Sequence, residues 1–120
     1  MITAEQLKDV VARVDALHHY LNIDKKKIEF EEEQLRTQAP DFWEDADRAR
    51  EQMKKVKGIE KWLKGYNNVR SQAEELQLAF DFYKDELVTE EEVDNAYKKV
   101  INDIESLELM NMLRQEEDPM

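Results

Sequence analysis

Five basic residues share one face of a helix, and their types and spacing are the clearest sign of chemistry in this chain. They step by four and three residues, so they stack along one side of a helix. The face lies nearly opposite an apolar row that contains Val56, Ile59 and Leu63. Either this is the ordinary solvated back of a helix or it contacts RNA phosphates without reading bases. The five residues are Arg50, Lys54, Lys57, Lys61 and Lys64.

No catalytic or metal-binding pattern accompanies the basic stripe. His18 and His19 are adjacent, so on a helix they point about 100° apart and do not grip one metal in the usual i, i+4 manner. The chain contains no cysteine, which excludes disulfides and thiolate zinc sites. It also lacks a Gly-rich phosphate loop and any nucleophile with a histidine at recognisable spacing. We therefore expect no enzyme activity, no catalytic residue, no metal and no cofactor.

Composition and charge narrow the function classes further. Of the 120 residues 39% are charged, with only two Gly and two Pro, which is typical of long helices. The net charge of −11 disfavours nucleic acid as the dominant partner. The segment Ala46–Gly65 is the exception, since it has seven Lys or Arg against three Asp or Glu. No signal peptide or membrane span is visible, so a cytoplasmic protein is expected.

The elements that position the stripe are three predicted helices, over residues 4–37, 46–86 and 90–112. Thr3 and Gln6 form a capping box for the first helix, and Thr89 and Glu92 form one for the third. Asp45 is the expected cap of the second. A heptad row in the first helix predicts its seam, and it consists of Leu7, Val14, Leu21, Ile28 and Leu35.

Two smaller apolar sets leave alternatives open. Tyr20, Ile23 and Phe30 form a second row on the first helix, which either covers another helix of the bundle or docks an external partner. Leu78 and Phe82 turn away from the main stripe of the second helix. Packing against the third helix explains them, and docking to other parts of the protein is the alternative.

The predicted fold class is therefore all-α. We expect a three-helix antiparallel bundle in which two long coiled-coil-like helices form a hairpin. Residues 1–113 make one helical domain, and residues 114–120 begin a linker to a downstream domain. Apolar rows that other domains would cover could instead pair two copies, so a homodimer of the isolated chain is left open.

A short aromatic island separates the first two helices. It contains one of the two prolines, and the residue before a proline is pushed out of the helical region. We expect Phe42 and Trp43 to plug the end of the bundle, where the seam of the first helix has thinned. The island consists of Pro40, Asp41, Phe42, Trp43, Glu44 and Asp45.

This island resembles the Asp-Phe-Trp-Asp-Asp-Pro-x-x-Ala segment of bacterial type-2 peptide chain release factors, in their N-terminal helical domain. Residues 20–27 and 107–113 are similar to flanking segments of the same family. In this chain Ala46 stands where the family commonly has proline, which loses pre-organisation at the first helical position.

The resemblance implies a role in translation termination at UGA and UAA stop codons. The codon-reading and Gly-Gly-Gln regions of such factors lie downstream of this domain. It implies a ribosome-positioning domain near the stalk base of the large subunit, where the basic stripe could contact the rRNA backbone weakly. The competing interpretation from the residues is a helical-hairpin adaptor or chaperone-like module that binds proteins through exposed apolar pairs.

Overall fold

A computed structural model describes residues 1–117, and all regular structure in that range is helical. The α-helices are α1 (Ala4–Tyr20), α2 (Ile23–Arg36), α3 (Ala46–Lys84) and α4 (Glu90–Glu117), with a single 3-10 turn at Phe42–Glu44. The all-α prediction is confirmed. Within the described range, no helix is both long and apolar enough to cross a membrane.

The prediction of one helix over residues 4–37 is wrong, because the chain breaks at Leu21 and Asn22. Asn22 adopts a left-handed conformation with φ 51° and ψ 53°. Its backbone N–H donates to the carbonyl of His19, which caps the end of α1. Asparagine tolerates this conformation better than other residues with a Cβ, so it ends α1 as glycine often does. Residues 1–117 therefore form four α-helices rather than three.

The break also rotates the face that α2 presents to the rest of the protein. Ile23 is fully buried and Phe30 is half-buried, so these two members of the second row face the fold. Ile28 and Leu35, which the heptad row placed in the seam, are 59% and 64% exposed. The predicted seam holds as far as Leu21 and fails beyond it, because the left-handed turn resets the register.

The predicted helix starts are confirmed. Thr3 and Gln6 form the capping box of α1, and the Asp45 carboxylate accepts from the backbone N–H groups of Asp47 and Arg48. At the start of α4 the backbone N–H of Thr89 donates to the Glu92 carboxylate, and the backbone N–H of Glu92 donates to the Thr89 hydroxyl, which completes a second capping box.

Helix α4 runs to Glu117, five residues past the predicted end at Met112. The last turns are helical even though their apolar periodicity fades, because the buried Asn111 and the half-buried Arg114 still face the fold. Residues 118–120 of the predicted linker lie outside the described residues.

The core lies where α1, α3 and α4 pack together. Its fully buried side chains include Leu17 from α1, Leu76 from α3 and Ile104 from α4. Burial of each such side chain stabilises the fold by about 1.5–3 kcal/mol. Gly65 permits the close approach of α3 and α4, since a Cβ there would lie 3.1 Å from Leu107 Cδ1.

A polar cluster fixes the register of α3 against α4. The Gln72 amide donates to the Asp103 carboxylate at 2.6 Å, and Asn68 donates to the same oxygen at 3.1 Å. The hydrogen bond from Gln72, followed by that from Asn68, lowers the pKa of Asp103 below its ordinary value. Gln72 is buried, so a shift of α4 along α3 would leave its amide without this partner.

Candidate functional site

The basic stripe lies on the outer surface of α3. All five residues are exposed, while Val56, Ile59 and Tyr66 on the opposite side of the helix are buried. Fourteen residues separate Arg50 from Lys64, so the stripe is about 21 Å long at 1.5 Å per residue. The structure therefore brings the predicted residues together on one solvent-facing line.

The two ends of the stripe are partly neutralised and its middle is not. Arg50 pairs with Asp47 at 3.5 Å and Lys64 pairs with Glu60 at 2.8 Å. Among residues 1–117, Lys54, Lys57 and Lys61 have no carboxylate within 4 Å. Gly58 lies among them, and nothing is within 4 Å of the position its Cβ would occupy. The middle of the stripe is thus an open cationic surface.

A buried polar layer holds α2 against the part of α3 that carries the stripe. Glu33 is only 7% exposed, and its carboxylate accepts from Gln52 at 2.8 Å. Lys55 lies 3.3 Å and Arg36 lies 3.5 Å from the same carboxylate. The Gln52 hydrogen bond, and then Lys55, lower the pKa of Glu33 below its ordinary value. Lys55 therefore serves the α2–α3 contact and is not part of the open stripe.

The aromatic island forms the connection at the end of the α2–α3 hairpin. Helix α2 ends at Arg36, ahead of Pro40. Phe42 is half-buried and, with Arg36, Arg48 and other residues, lines an open groove of about 280 Å³. Pro40 and Asp41 are exposed, and Asp45 caps α3.

The prediction that both aromatics plug the bundle is wrong for Trp43. Its side chain is 67% exposed, and it meets Phe42 edge to face with ring centroids 4.7 Å apart. The island sits at the tip of a hairpin made by α2 and α3, where the core of α1, α3 and α4 offers no cover for a second ring. Phe42 takes the inward position and Trp43 is left in solvent.

Sequence reasoning missed an aromatic–cation cluster that joins three helices. The ring of Trp62 on α3 has two cations near it, with Arg114 at 5.0 Å and Lys26 at 6.0 Å from the ring centroid. Lys26 also donates to the carbonyl of Leu21. Burial, and then the charge of Arg114, lower the pKa of Lys26. No local sequence signal could have indicated this cluster, because its members are far apart in sequence. They come together only through the packing of α2, α3 and α4.

Two other features bear on the predicted sites. Leu78 and Phe82 are 53% and 43% exposed, so the predicted packing against the last helix does not bury them. In residues 1–117, no three His, Asp or Glu side chains are arranged to hold a metal ion.

The part of the chain that carries the aromatic island and the basic stripe matches a known family. The model of the PCRF domain matches residues 25–120, which include all but the first two residues of α2, the aromatic island, the whole of α3 with its basic stripe, and α4. The match covers most of the chain and agrees with the resemblance of the island and its flanking segments. The chain therefore belongs to the PCRF domain family, the peptide chain release factors, and as a release factor domain it has a role in translation termination.

Proposed function

We propose that this chain is the N-terminal helical domain of a type-2 release factor, which acts at UGA and UAA codons, and that it positions the factor on the ribosome. The observation that carries the proposal is the Asp41-Phe42-Trp43 motif at the tip of a helical hairpin within the matched family region. The domain performs no chemistry of its own. Codon reading and peptide release belong to downstream regions of the same cytoplasmic protein.

The basic stripe is the proposed ribosome contact. Its three middle lysines, which have no carboxylate within 4 Å among residues 1–117, are spaced by three and four residues, about 4.5–6 Å along the helix axis. Lysine binds phosphate as a point charge without base specificity, so the stripe fits an rRNA backbone better than a particular sequence. Because the rest of the molecule is strongly acidic, the stripe would also orient the domain as it approaches RNA. We place this contact near the stalk base of the large subunit.

Charge reversal in the full-length factor tests the proposed contact. Lys54, Lys57 and Lys61 would each be changed to Glu, and ribosome binding would be measured by co-sedimentation at several salt concentrations. We expect at least a tenfold loss of affinity and a salt dependence about two to three units shallower. The matched control reverses three other exposed lysines, Lys8, Lys27 and Lys98, and should change affinity far less. Equal affinity for the two variants would leave the stripe as a solvated helix face.

The family subtype needs a separate test. The gene should continue in frame beyond Met120 into a region that encodes Gly-Gly-Gln. Release assays on ribosomes programmed with each stop codon should then show activity at UGA and UAA but not at UAG. Release at UAG instead of UGA would reject the type-2 assignment while leaving the family membership intact.

A further inference from the structure

The outward face of α2 carries an apolar row that nothing in the described fold covers. Ile28 and Leu35 lie seven residues apart, two turns along the helix, and both are mostly exposed. At 100° per residue their line is nearly opposite the packing face of Ile23, Phe30 and Glu33. Single exposed apolar side chains are ordinary, but two on one line form a ridge. We call Ile28 and Leu35, with the acidic residues beside them, the α2 ridge.

The backbone break is what turns the ridge outward. Leu7, Val14 and Leu21 occupy the same heptad row and contribute to the core, whereas the row emerges into solvent after the left-handed Asn22. A continuous helix would have kept Ile28 in register with Leu21. The left-handed backbone at Asn22 is conformationally unfavourable, and it leaves two aliphatic side chains, Ile28 and Leu35, exposed to solvent.

Charges beside the ridge define what could bind there. Asp24, Glu31 and Glu32 are exposed and lie within about 50° of the Ile28–Leu35 line, and no basic residue of α2 lies as close to it. Glu31 and Leu35 also line a shallow groove of about 300 Å³ with Gln34 and Gln38. An apolar line with acidic flanks complements an amphipathic helix whose apolar face is bordered by Lys or Arg.

The same charges argue against other occupants. A symmetric pair of copies through this face would bring its carboxylates against their equivalents, and like charges placed opposite each other are unfavourable. RNA phosphates would be repelled by the same acids. We propose that the α2 ridge is a docking surface for a basic amphipathic helix of a partner protein. This inference does not depend on the proposed function, because the cationic stripe lies on a different helix.

A pair of designed peptides tests the ridge on the intact 120-residue chain. A labelled 21-residue helix of leucine and lysine carries the proposed complement, and a leucine–glutamate helix of equal length reverses its charge. Fluorescence anisotropy at about 0.15 M salt, where exposed charges are screened beyond about 8 Å, should show binding of the first peptide only. Absence of binding by the lysine peptide would overturn the proposal.

Matched variants locate the binding. Ile28→Gln with Leu35→Gln should weaken binding of the lysine peptide about tenfold. Leu87→Gln with Leu109→Gln removes two similarly exposed leucines elsewhere and should leave the affinity within about twofold. Glu31→Gln with Glu32→Gln should weaken binding several-fold and flatten its salt dependence. If the Ile28/Leu35 variant and the Leu87/Leu109 variant lose equal affinity for the lysine peptide, the binding is non-specific and the ridge is rejected as its site.

Two further measurements exclude the remaining occupants. Thermal unfolding should give the same Tm for the Ile28/Leu35 variant and the Leu87/Leu109 control. A much lower Tm for the former would mean that the fold itself covers the ridge. Sedimentation velocity should show that the wild-type chain is a monomer. A wild-type dimer that the Ile28/Leu35 substitutions abolish would mean that a second copy, rather than a partner helix, occupies the ridge.

Discussion

Gln52 on α3 is joined twice to Glu33 on α2. Its side-chain amide donates to the Glu33 carboxylate at 2.8 Å and to the Glu33 backbone carbonyl at 2.7 Å. The pairing lies between the helix that carries the cationic stripe and the helix that carries the α2 ridge. It therefore fixes the relative position of the two surfaces.

This relationship predicts a pH dependence of stability. The pKa of Glu33 is lowered in the folded state, chiefly by the Gln52 hydrogen bond, from an ordinary value of about 4.5. A lowered pKa contributes stability above the unfolded value, and this contribution is lost as the pH falls through the folded pKa. Urea unfolding should show that wild-type stability falls below about pH 4.5, and that Glu33→Gln reduces this fall.

Other carboxylates contribute to the same acid response, so a neighbour serves as control. Glu32→Gln removes an exposed carboxylate one residue away and should leave the pH dependence close to that of the wild type. If the two variants have the same pH profile, the polar layer does not stabilise the charged form of Glu33.

The two glycines of α3 should respond differently to alanine. Gly58 faces open space, so Gly58→Ala should raise the free energy of unfolding by about 0.8–1 kcal/mol through helix propensity alone. At Gly65 the new methyl group would lie 3.1 Å from Leu107, and the gain should be smaller or reversed. The larger Gly65→Leu should overpack the α3–α4 contact and cost about 1–3 kcal/mol. Chemical denaturation of the three variants measures these differences, and equal gains at both glycines would contradict the close approach.

Much of the fold could be predicted from local patterns. The caps at Thr3, Asp45 and Thr89 depend on residues within one helical turn, and their sequence signals were sufficient. The stripe also follows from spacing alone, because α3 continues unbroken through both glycines.

The break at Asn22 was not predicted, because the heptad row passes through it without a change of period. The signal that could have indicated it is Asn22 itself, since asparagine is the residue after glycine most often found at a left-handed helix end. Because the left-handed turn was not predicted, Ile28 and Leu35 were placed in the buried seam, whereas they are exposed. The buried Glu33 and the Trp62 cluster could not be read locally, because tertiary contacts decide which polar residues are covered.

The two left-handed residues within 1–117, Asn22 and Glu86, should differ in their response to glycine. Glu86 has φ 59° at the end of α3, where Leu87 N–H donates to the Phe82 carbonyl and Glu86 N–H to the Tyr83 carbonyl. These are the bonds of a Schellman motif, in which glycine is preferred at the left-handed position. Glu86→Gly should therefore raise the free energy of unfolding by about 1 kcal/mol.

Asn22 and Asp85 supply the comparisons for Glu86. Asn22→Gly should change stability by only a few tenths of a kcal/mol, whereas the β-branched Asn22→Val should cost more than about 1 kcal/mol. Asp85 has φ −99°, so Asp85→Gly should bring no gain. Stabilisation by Asp85→Gly equal to that of Glu86→Gly would show that a general loss of acidic charge is responsible.

The two tryptophans should report the structural correction at the aromatic island. Trp43 is mostly exposed beside Phe42, whereas Trp62 is half-buried and has Lys26 and Arg114 near its ring. In a Trp62→Phe variant the remaining Trp43 emission should be red-shifted and readily quenched by acrylamide. In a Trp43→Phe variant the remaining Trp62 should emit at shorter wavelength and be quenched several-fold less.

The exposure of Trp43 also predicts a small effect of its removal on stability. Trp43→Ala should lower the free energy of unfolding by less than about 1 kcal/mol, since surface substitutions mostly fall near ±0.5 kcal/mol. Blue-shifted and poorly quenched emission from Trp43, or a fall of several kcal/mol in the free energy of unfolding of Trp43→Ala, would mean that Trp43 is buried at the end of the bundle after all.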